Sequence, residues 1–211
     1  MVEAATRPGV VPYITAWSEE QYARFDVVAH PAGGIAYRDE VPHDRDADGV
    51  LWARMTHARG QGRPDFGRVH FGRQRRAMRA LLCQVCGGPA SRTDEGVLWL
   101  LKDDRADWPG WPEGMAATHP PVCLACARTA ARRCPHLRGG CVAVRAREFG
   151  TRAVYGSLYR PGVPAPVAAA EVIAASREPR ARWVLATQMV RVLRQCSFVD
   201  LAAETGLPRA A

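Results

Sequence analysis

Short alternating runs of hydrophobic and polar residues fill the first third of the chain and predict β-strands. These runs cover residues 25–30, 34–39 and 49–56, and Gly/Pro-rich or acidic turns separate them. Ahead of the strands, Ser18 stands at the N-cap and Gln21 at the capping-box position of a predicted short helix. We therefore expect this part of the chain to be rich in short strands.

The middle of the chain mixes helical and buried-strand patterns. Residues 73–82 place apolar side chains on one side of a predicted helix and arginines beside them. Residues 96–101 are continuously apolar, which is typical of a buried strand. Residues 126–134 favour a second helix, and Pro135 is expected to end it.

The last third of the chain predicts a hairpin and a helix. Residues 141–148 and 152–159 alternate between hydrophobic and polar positions across a short turn, a pattern that predicts a β-hairpin. A Pro- and Ala-rich linker then leads to an amphipathic helix at about 179–195. The residues expected to face inward are Trp183, Ala186, Met189, Val190 and Leu193.

Two Cys-x-x-Cys pairs carry the clearest chemistry, and 36 residues lie between them. Zn²⁺ prefers four tetrahedral ligands, and such a turn lets two thiolates reach one ion. Four thiolates fill the coordination shell, so we predict one structural Zn²⁺ whose binding is coupled to folding. Its ligands would be Cys83, Cys86, Cys123 and Cys126. Redox-active pairs or buried free thiols are the alternative.

The order of cysteine turn, strand, loop and a second cysteine turn opening a helix resembles a treble-clef zinc finger. The resemblance covers residues 80–136, about a quarter of the chain, and implies a scaffold rather than an activity. A zinc ribbon, with both pairs on hairpins, is the alternative. The chain as a whole also resembles Cys-pair proteins of GC-rich actinobacteria, a likeness that implies no activity.

Some treble-clef proteins are HNH-type endonucleases, and the cysteine layout here is similar. That resemblance implies a catalytic Asp-His pair on the strand between the cysteine turns. The one histidine between them is His119, which follows Thr118 rather than an acid, and the second helix has no His or Asn before His136. No strand residue qualifies as the general base, so a degenerate HNH-like, metal-dependent nuclease is only an alternative.

Together these elements predict an α+β fold with three regions. A β-rich N-terminal region of short strands spans residues 1–66 and packs on a treble-clef-like zinc module. The module, with its flanking helix and hairpin, spans residues 67–160. The linker and the C-terminal amphipathic helix occupy residues 161–211.

Arginine dominates the charge of the chain, whose net charge is +8 with 28 arginines and one lysine. Residues 52–92 carry nine arginines against one acid, and residues 123–160 carry eight against one. Both segments contain or flank a cysteine pair, and a positive surface there is typical of phosphate binding. GC-rich coding enriches arginine as well, so the charge alone does not decide the function.

We therefore predict a non-catalytic, zinc-stabilised protein that binds nucleic acid through an arginine-rich surface. The arginines expected to contact phosphates are Arg73, Arg75, Arg76, Arg79, Arg128, Arg132 and Arg133. Two solvated helix faces are the alternative. No nucleotide-binding fingerprint and no nucleophile–base constellation occurs, so no enzyme class is assigned.

Two weaker metal-site patterns also occur. Cys134, His136 and Cys141 could supply three ligands of a second metal, with His119 or Cys196 as the fourth; packed thiols and a surface histidine are the alternative.

The second pattern is the opening of a calcium loop, in which Asp44, Asp46 and Asp48 would converge on one ion and Gly49 would allow the turn. Position 12 of that loop is Met55 instead of a bidentate glutamate. An acidic hairpin turn is therefore the alternative.

Trp108 and Trp111 lie in an irregular loop and could stack on bases or on a protein partner, or fold over a core. A protein-interaction module using this loop or the C-terminal helix is accordingly the other alternative function. The chain has no signal-peptide pattern and no run of 18 apolar residues. With the paired cysteines, this predicts a cytoplasmic protein without a membrane partner.

Overall fold

The computed structural model describes residues 10–23, 26–150 and 152–204, and within these it has two α-helices among many short strands. The helices are α1 (Phe71–Ala80) and α2 (Leu124–Arg133). The strands are β1 (Thr15–Trp17), β2 (Val27–Ala29), β3 (Ile35–Tyr37), β4 (Leu51–Trp52), β5 (Pro64–Val69), β6 (Arg92–Thr93), β7 (Gly96–Lys102), β8 (Ala116–Ala117), β9 (Cys141–Glu148), β10 (Arg152–Arg160), β11 (Val167–Ala175), β12 (Val184–Val192) and β13 (Arg194–Val199). The mixture of helix and sheet confirms the predicted α+β class.

Two larger sheets organise these strands. The five-stranded sheet has the order β11-β10-β12-β4, with β8 also paired to β12. The four-stranded sheet has the order β13-β9-β7-β6 and is antiparallel throughout. The pairs β1–β5 and β2–β3 lie outside both sheets. Because β4 pairs in parallel with β12, a segment from the first third of the chain and one from the last third share one sheet.

The continuous apolar run of β7 is buried on both faces, as the sequence predicts. Trp99 packs with Val144 on one face, while Leu98 packs with Ala127 of α2 on the other. Helix α1 instead buries Met78 against the five-stranded sheet. Both helices match their predicted positions to within a few residues, but they cover different sheets.

The short helix predicted from Ser18 is wrong. Residues 18–19 form a turn, and Tyr22 makes an antiparallel bridge with Met55. The Ser18 hydroxyl accepts the Arg63 N–H, and the Glu20 carboxylate accepts the Trp17 N–H. These longer-range and turn hydrogen bonds replace the capping interactions of a helix. The predicted strands at 25–30, 34–39 and 49–56 do contain β2, β3 and β4, with Phe25 outside the described residues.

The hairpin predicted at 141–148 and 152–159 is also wrong, although both segments are strands. Strand β9 pairs with β7 and β13, whereas β10 pairs with β11 and β12. The alternating pattern identifies a strand but not its partner.

At Gly156 a Cβ atom would lie 2.1 Å from the Leu185 carbonyl oxygen, so glycine allows β10 to approach β12 closely.

The amphipathic helix predicted at 179–195 is wrong as well. Residues Pro179–Trp183 form a short 3₁₀ helix, and the rest forms β12 and the start of β13. Strand β12 is central in its sheet and buried along much of its length, so its apolar residues follow no strict alternation. Such a run cannot be distinguished from a buried helix by periodicity alone. Leu193 is fully buried where the chain passes from one sheet to the other.

In the described residues, neither helix is long and apolar enough to cross a membrane.

Candidate metal centre

The first cysteine pair lies in a tight turn directly after α1. Leu81 ends the helix in the left-handed conformation, with φ 52° and ψ 48°. The Cys83 N–H then donates to the Gly88 carbonyl, and the Gly87 N–H donates back to the Cys83 carbonyl. Gly87 has φ +76°, which glycine adopts without strain. This turn holds Cys83 and Cys86 on one side.

The second pair opens α2. Cys123 is the N-cap of the helix and Cys126 lies in its first turn. The preceding Val122 donates its N–H to Leu98 and accepts the N–H of Ser91 through its carbonyl. These bonds fix the start of α2 against β7 and bring the second pair to the first.

The four sulfur atoms all lie within 4.8 Å of one another. The Cys86 and Cys123 sulfurs are 3.9 Å apart. A tetrahedron with Zn–S bonds of about 2.3 Å has sulfur–sulfur edges of about 3.8 Å, so this spacing fits one ion. Burial raises the pKa of the Cys83 thiol, whereas the backbone N–H groups of Cys123, Cys86 and Val85 act in the opposite direction and favour its thiolate. The arrangement is consistent with a zinc site.

Burial and neighbouring groups shift the pKa values of the Cys83, Cys86 and Cys126 thiols. Burial raises the pKa of the fully buried Cys83 thiol. Burial and the neighbouring Cys123 thiol also raise the pKa of Cys126. Burial opposes ionisation of Cys86 too, but the Gly88 N–H and the surrounding thiols outweigh it and lower its pKa. Four thiolates in this volume would repel one another, and a bound dication is what would stabilise all of them together.

The residues of the predicted second metal site belong to separate elements. Cys134 ends α2, His136 is exposed on a 3₁₀ turn, and Cys141 begins β9. Neither they, nor His119, nor Cys196 belong to a group of three or more metal-ligating side chains in the described part of the chain.

The three aspartates of the predicted calcium loop also take separate partners. Asp44 accepts two hydrogen bonds from the Arg54 guanidinium. Asp46 accepts the indole N–H of Trp52, and Asp48 pairs with Arg177. The carboxylates therefore do not converge on one point.

Only four of the seven arginines that were predicted to contact phosphates are exposed. Arg73 is buried, and Arg128 donates to the carbonyl oxygens of Leu201 and Glu204. Arg75 is half-buried and stacks on Trp52. The exposed members are Arg76 and Arg79 on α1 and Arg132 and Arg133 on α2.

The two loop tryptophans occupy different environments. Trp111 is 5% exposed, and its ring stacks with Phe198 at a centroid distance of 6.3 Å. Trp108 is 38% exposed. Only Trp108 is therefore accessible to a partner.

A buried ion pair that the sequence did not predict lies outside the cysteine cluster. The carboxylate of Glu20, which is fully buried, receives both terminal nitrogens of Arg73 at 2.6 Å. Arg73 also donates to the Thr15 carbonyl at 2.7 Å. The two residues are 53 positions apart, and no local pattern connects them. The sequence feature that could have drawn attention to this pair is the arginine-rich run that contains Arg73.

No protein-family model, curated protein or solved structure matches this chain. The cysteine cluster is therefore the main basis for a functional assignment.

Proposed function

We propose that the protein is a non-catalytic nucleic-acid-binding protein built on a treble-clef-like finger with one structural Zn²⁺. The order of elements supports the treble clef: a cysteine turn, the β6–β7 hairpin, and a helix whose first turn carries the second pair. In a zinc ribbon the second pair would lie on a hairpin instead. Four sulfur ligands leave no open coordination position, so the metal would support the fold rather than a reaction.

Zinc is the metal that this donor set favours. A tetrahedral all-thiolate site suits Zn²⁺, and carboxylates, the usual ligands of Mg²⁺ and Ca²⁺, are absent from the cluster. Thiolate ligands also need a reducing environment, which supports a cytoplasmic location.

The observation that carries nucleic-acid binding is the exposure of Arg132 and Arg133 on the metal-anchored helix. Helix α2 contains three arginines and no acid. The described residues provide no ion-pair partner for these two side chains, so their guanidinium groups are available for phosphate oxygens. Metal binding would hold them in place by fixing the start of the helix.

Binding of a fluorescent duplex, measured by anisotropy over a salt series, tests this proposal. We expect affinity to fall with salt, and the double variant Arg132→Gln/Arg133→Gln to reduce the salt slope by up to about 2. The matched control is Arg177→Gln/Arg180→Gln, which removes two arginines that already pair with Asp48 and Glu178. Salt-insensitive binding, or an equal loss in the control, would contradict the proposal.

Trp108 supports one other function, a protein-interaction module. A large aromatic side chain that is 38% exposed in a loop is a common anchor for a protein partner. If Trp108→Ala leaves nucleic-acid affinity unchanged but abolishes capture of a specific protein, this second function gains support.

A further inference from the structure

A cavity of about 200 Å³ lies between β4 and the start of α1. It is smaller than the pockets of about 300–1,000 Å³ that bury drug-sized ligands, so its occupant must be small. Its lining is rich in cationic and imidazole groups. The polar side chains that line it are His43, Asp44, Arg54, His57, His70 and Arg75.

Arg75 supplies the cavity with a positive charge that no direct salt bridge among the described residues neutralises. Its guanidinium lies over the Trp52 ring, 4.6 Å from the centroid, and is half-buried. Among the described residues it has no hydrogen bond and no ion pair. The nearby Asp46 carboxylate accepts the Trp52 indole N–H and attracts Arg75 without a direct bond to it. Arg54, by contrast, is neutralised by Asp44.

Two of the lining histidines, His70 and His57, differ in whether their ring nitrogens can bind a ligand. His70 is buried, and its Nδ1 accepts the Arg73 N–H, so its Nε2 carries the proton and donates to the Thr56 carbonyl. Both nitrogens of His70 are therefore engaged. His57 is exposed, with its ring centroid 5.0 Å from that of His70.

Gly72 keeps the space beside these rings open. A Cβ atom at this position would lie 3.3 Å from Cε1 of His70 and 3.8 Å from Cε1 of His57. Phe71 and Gly72 are also the first two residues of α1, and both line the cavity. Their backbone N–H groups have no acceptor in the described residues, so the positive end of the helix dipole adds to the charge of Arg75.

We propose that this cavity binds a single phosphoryl group, either inorganic phosphate or the phosphate of a small monoester. A phosphate offers oxygens for the planar guanidinium fork of Arg75, the imidazole of His57 and the free N–H groups at the helix start. The site is separate from the exposed arginines of α2 and does not depend on nucleic-acid binding there.

Calorimetric titration of the full chain with inorganic phosphate, and separately with AMP, tests the site. We expect saturable binding with Kd of about 1 mM or tighter, and Arg75→Gln should weaken it at least about tenfold. Tighter binding of AMP would identify a monoester, whereas equal affinities would identify free phosphate. Absence of binding to the unmodified protein would overturn the proposal.

Two matched variants separate a binding effect from a folding effect. Gly72→Ala adds one methyl group at a helical position, where alanine favours the helix, and should weaken phosphate binding several-fold in a folded protein. Arg79→Gln removes an exposed arginine one turn beyond Arg75 and should leave the affinity unchanged. Equal losses for Arg79→Gln and Arg75→Gln would show unspecific charge attraction and overturn the site. Unchanged binding in Arg132→Gln/Arg133→Gln would show that it is independent of the α2 surface.

Discussion

Two polar centres hold this fold, and they differ in how they are built. The cysteine cluster draws its ligands from two short turns, and its Cys86 is exposed to solvent. The Glu20–Arg73 pair joins residues 53 positions apart and is buried. The first centre could hold a metal cation, whereas the second pairs a carboxylate with the guanidinium of Arg73. A local motif is visible in a sequence, but a long-range charge pair is not.

The buried pair lies where the apolar core is small. Around it the buried hydrophobic cluster consists of Ala16, Met55 and Phe71. Arg73 bonds at once to the Glu20 carboxylate and to the carbonyl of Thr15 on β1, so it ties β1 to α1. In our proposal each centre thus supplements a small core: a metal bound by the four cysteines, and the ion pair between β1 and α1.

The largest effect is expected on breaking the metal centre. Cys123→Ser removes one ligand and should lower the free energy of unfolding of the finger by more than about 5 kcal/mol, because metal binding and folding are coupled. Thermal unfolding followed by circular dichroism measures it. Cys196→Ser, at a half-buried thiol outside the cluster, is the control. A Cys123→Ser protein that melts like the unmodified one would contradict a structural metal.

Breaking the buried ion pair should have the next largest effect. Glu20→Gln leaves the Arg73 charge buried without its partner, which should cost about 3–5 kcal/mol in urea unfolding. The metal content should not change, which would separate the two centres. Replacing Arg73 as well, in Glu20→Gln/Arg73→Met, should recover part of the loss. A cost below about 1 kcal/mol would contradict a structural role for the pair.

The stability that the Glu20–Arg73 pair provides should decrease gradually as the pH is lowered. Burial opposes ionisation of Glu20, but hydrogen bonds from Arg73 and from the Trp17 N–H lower its pKa from 4.5 to about 2. A lowered pKa stabilises the fold above about pH 4.5, and this stability is lost as the pH falls towards 2. Between pH 6 and pH 3 the unmodified protein should therefore lose roughly 2 kcal/mol more than Glu20→Gln does. Parallel losses in the two proteins would show that Glu20 does not titrate in this way.

An exposed ion pair should matter least. Arg38 and Asp26 are 3.4 Å apart, with side chains 72% and 75% exposed. Solvent screens such a pair, so Arg38→Gln should change the free energy of unfolding by less than about 0.5 kcal/mol. Urea unfolding of Arg38→Gln and Glu20→Gln under the same conditions compares the two losses in the free energy of unfolding. A cost equal to that of Glu20→Gln would mean that burial does not determine the strength of these pairs.

Local patterns predicted the local parts of the fold. The cysteine spacing identified the cluster, apolar periodicity located α1, helix-favouring residues before Pro135 located α2, and a continuous apolar run located β7. Each cysteine pair, each helix and β7 is formed by about ten or fewer neighbouring residues, although 36 residues lie between the two cysteine pairs themselves. Turn chemistry and helix periodicity act at this range, so one sequence is enough to predict them.

The rest of the fold depends on contacts between distant residues. Strand β12 is buried between β10 and β4, so its hydrophobic pattern is that of a buried segment and also fits a buried helix. Strands β9 and β10 are adjacent along the chain yet belong to different sheets. Arg73 was predicted to bind phosphates, but its guanidinium forms a buried salt bridge with Glu20. The exposed arginines and the buried one have the same local sequence context.

The most direct test of this account is the metal content of the full chain, purified without added metal and measured by inductively coupled plasma mass spectrometry. One zinc per chain, lost in Cys123→Ser, is the result that four converging sulfurs predict. Two metals per chain, or one that persists in Cys123→Ser, would contradict a single closed centre at these cysteines.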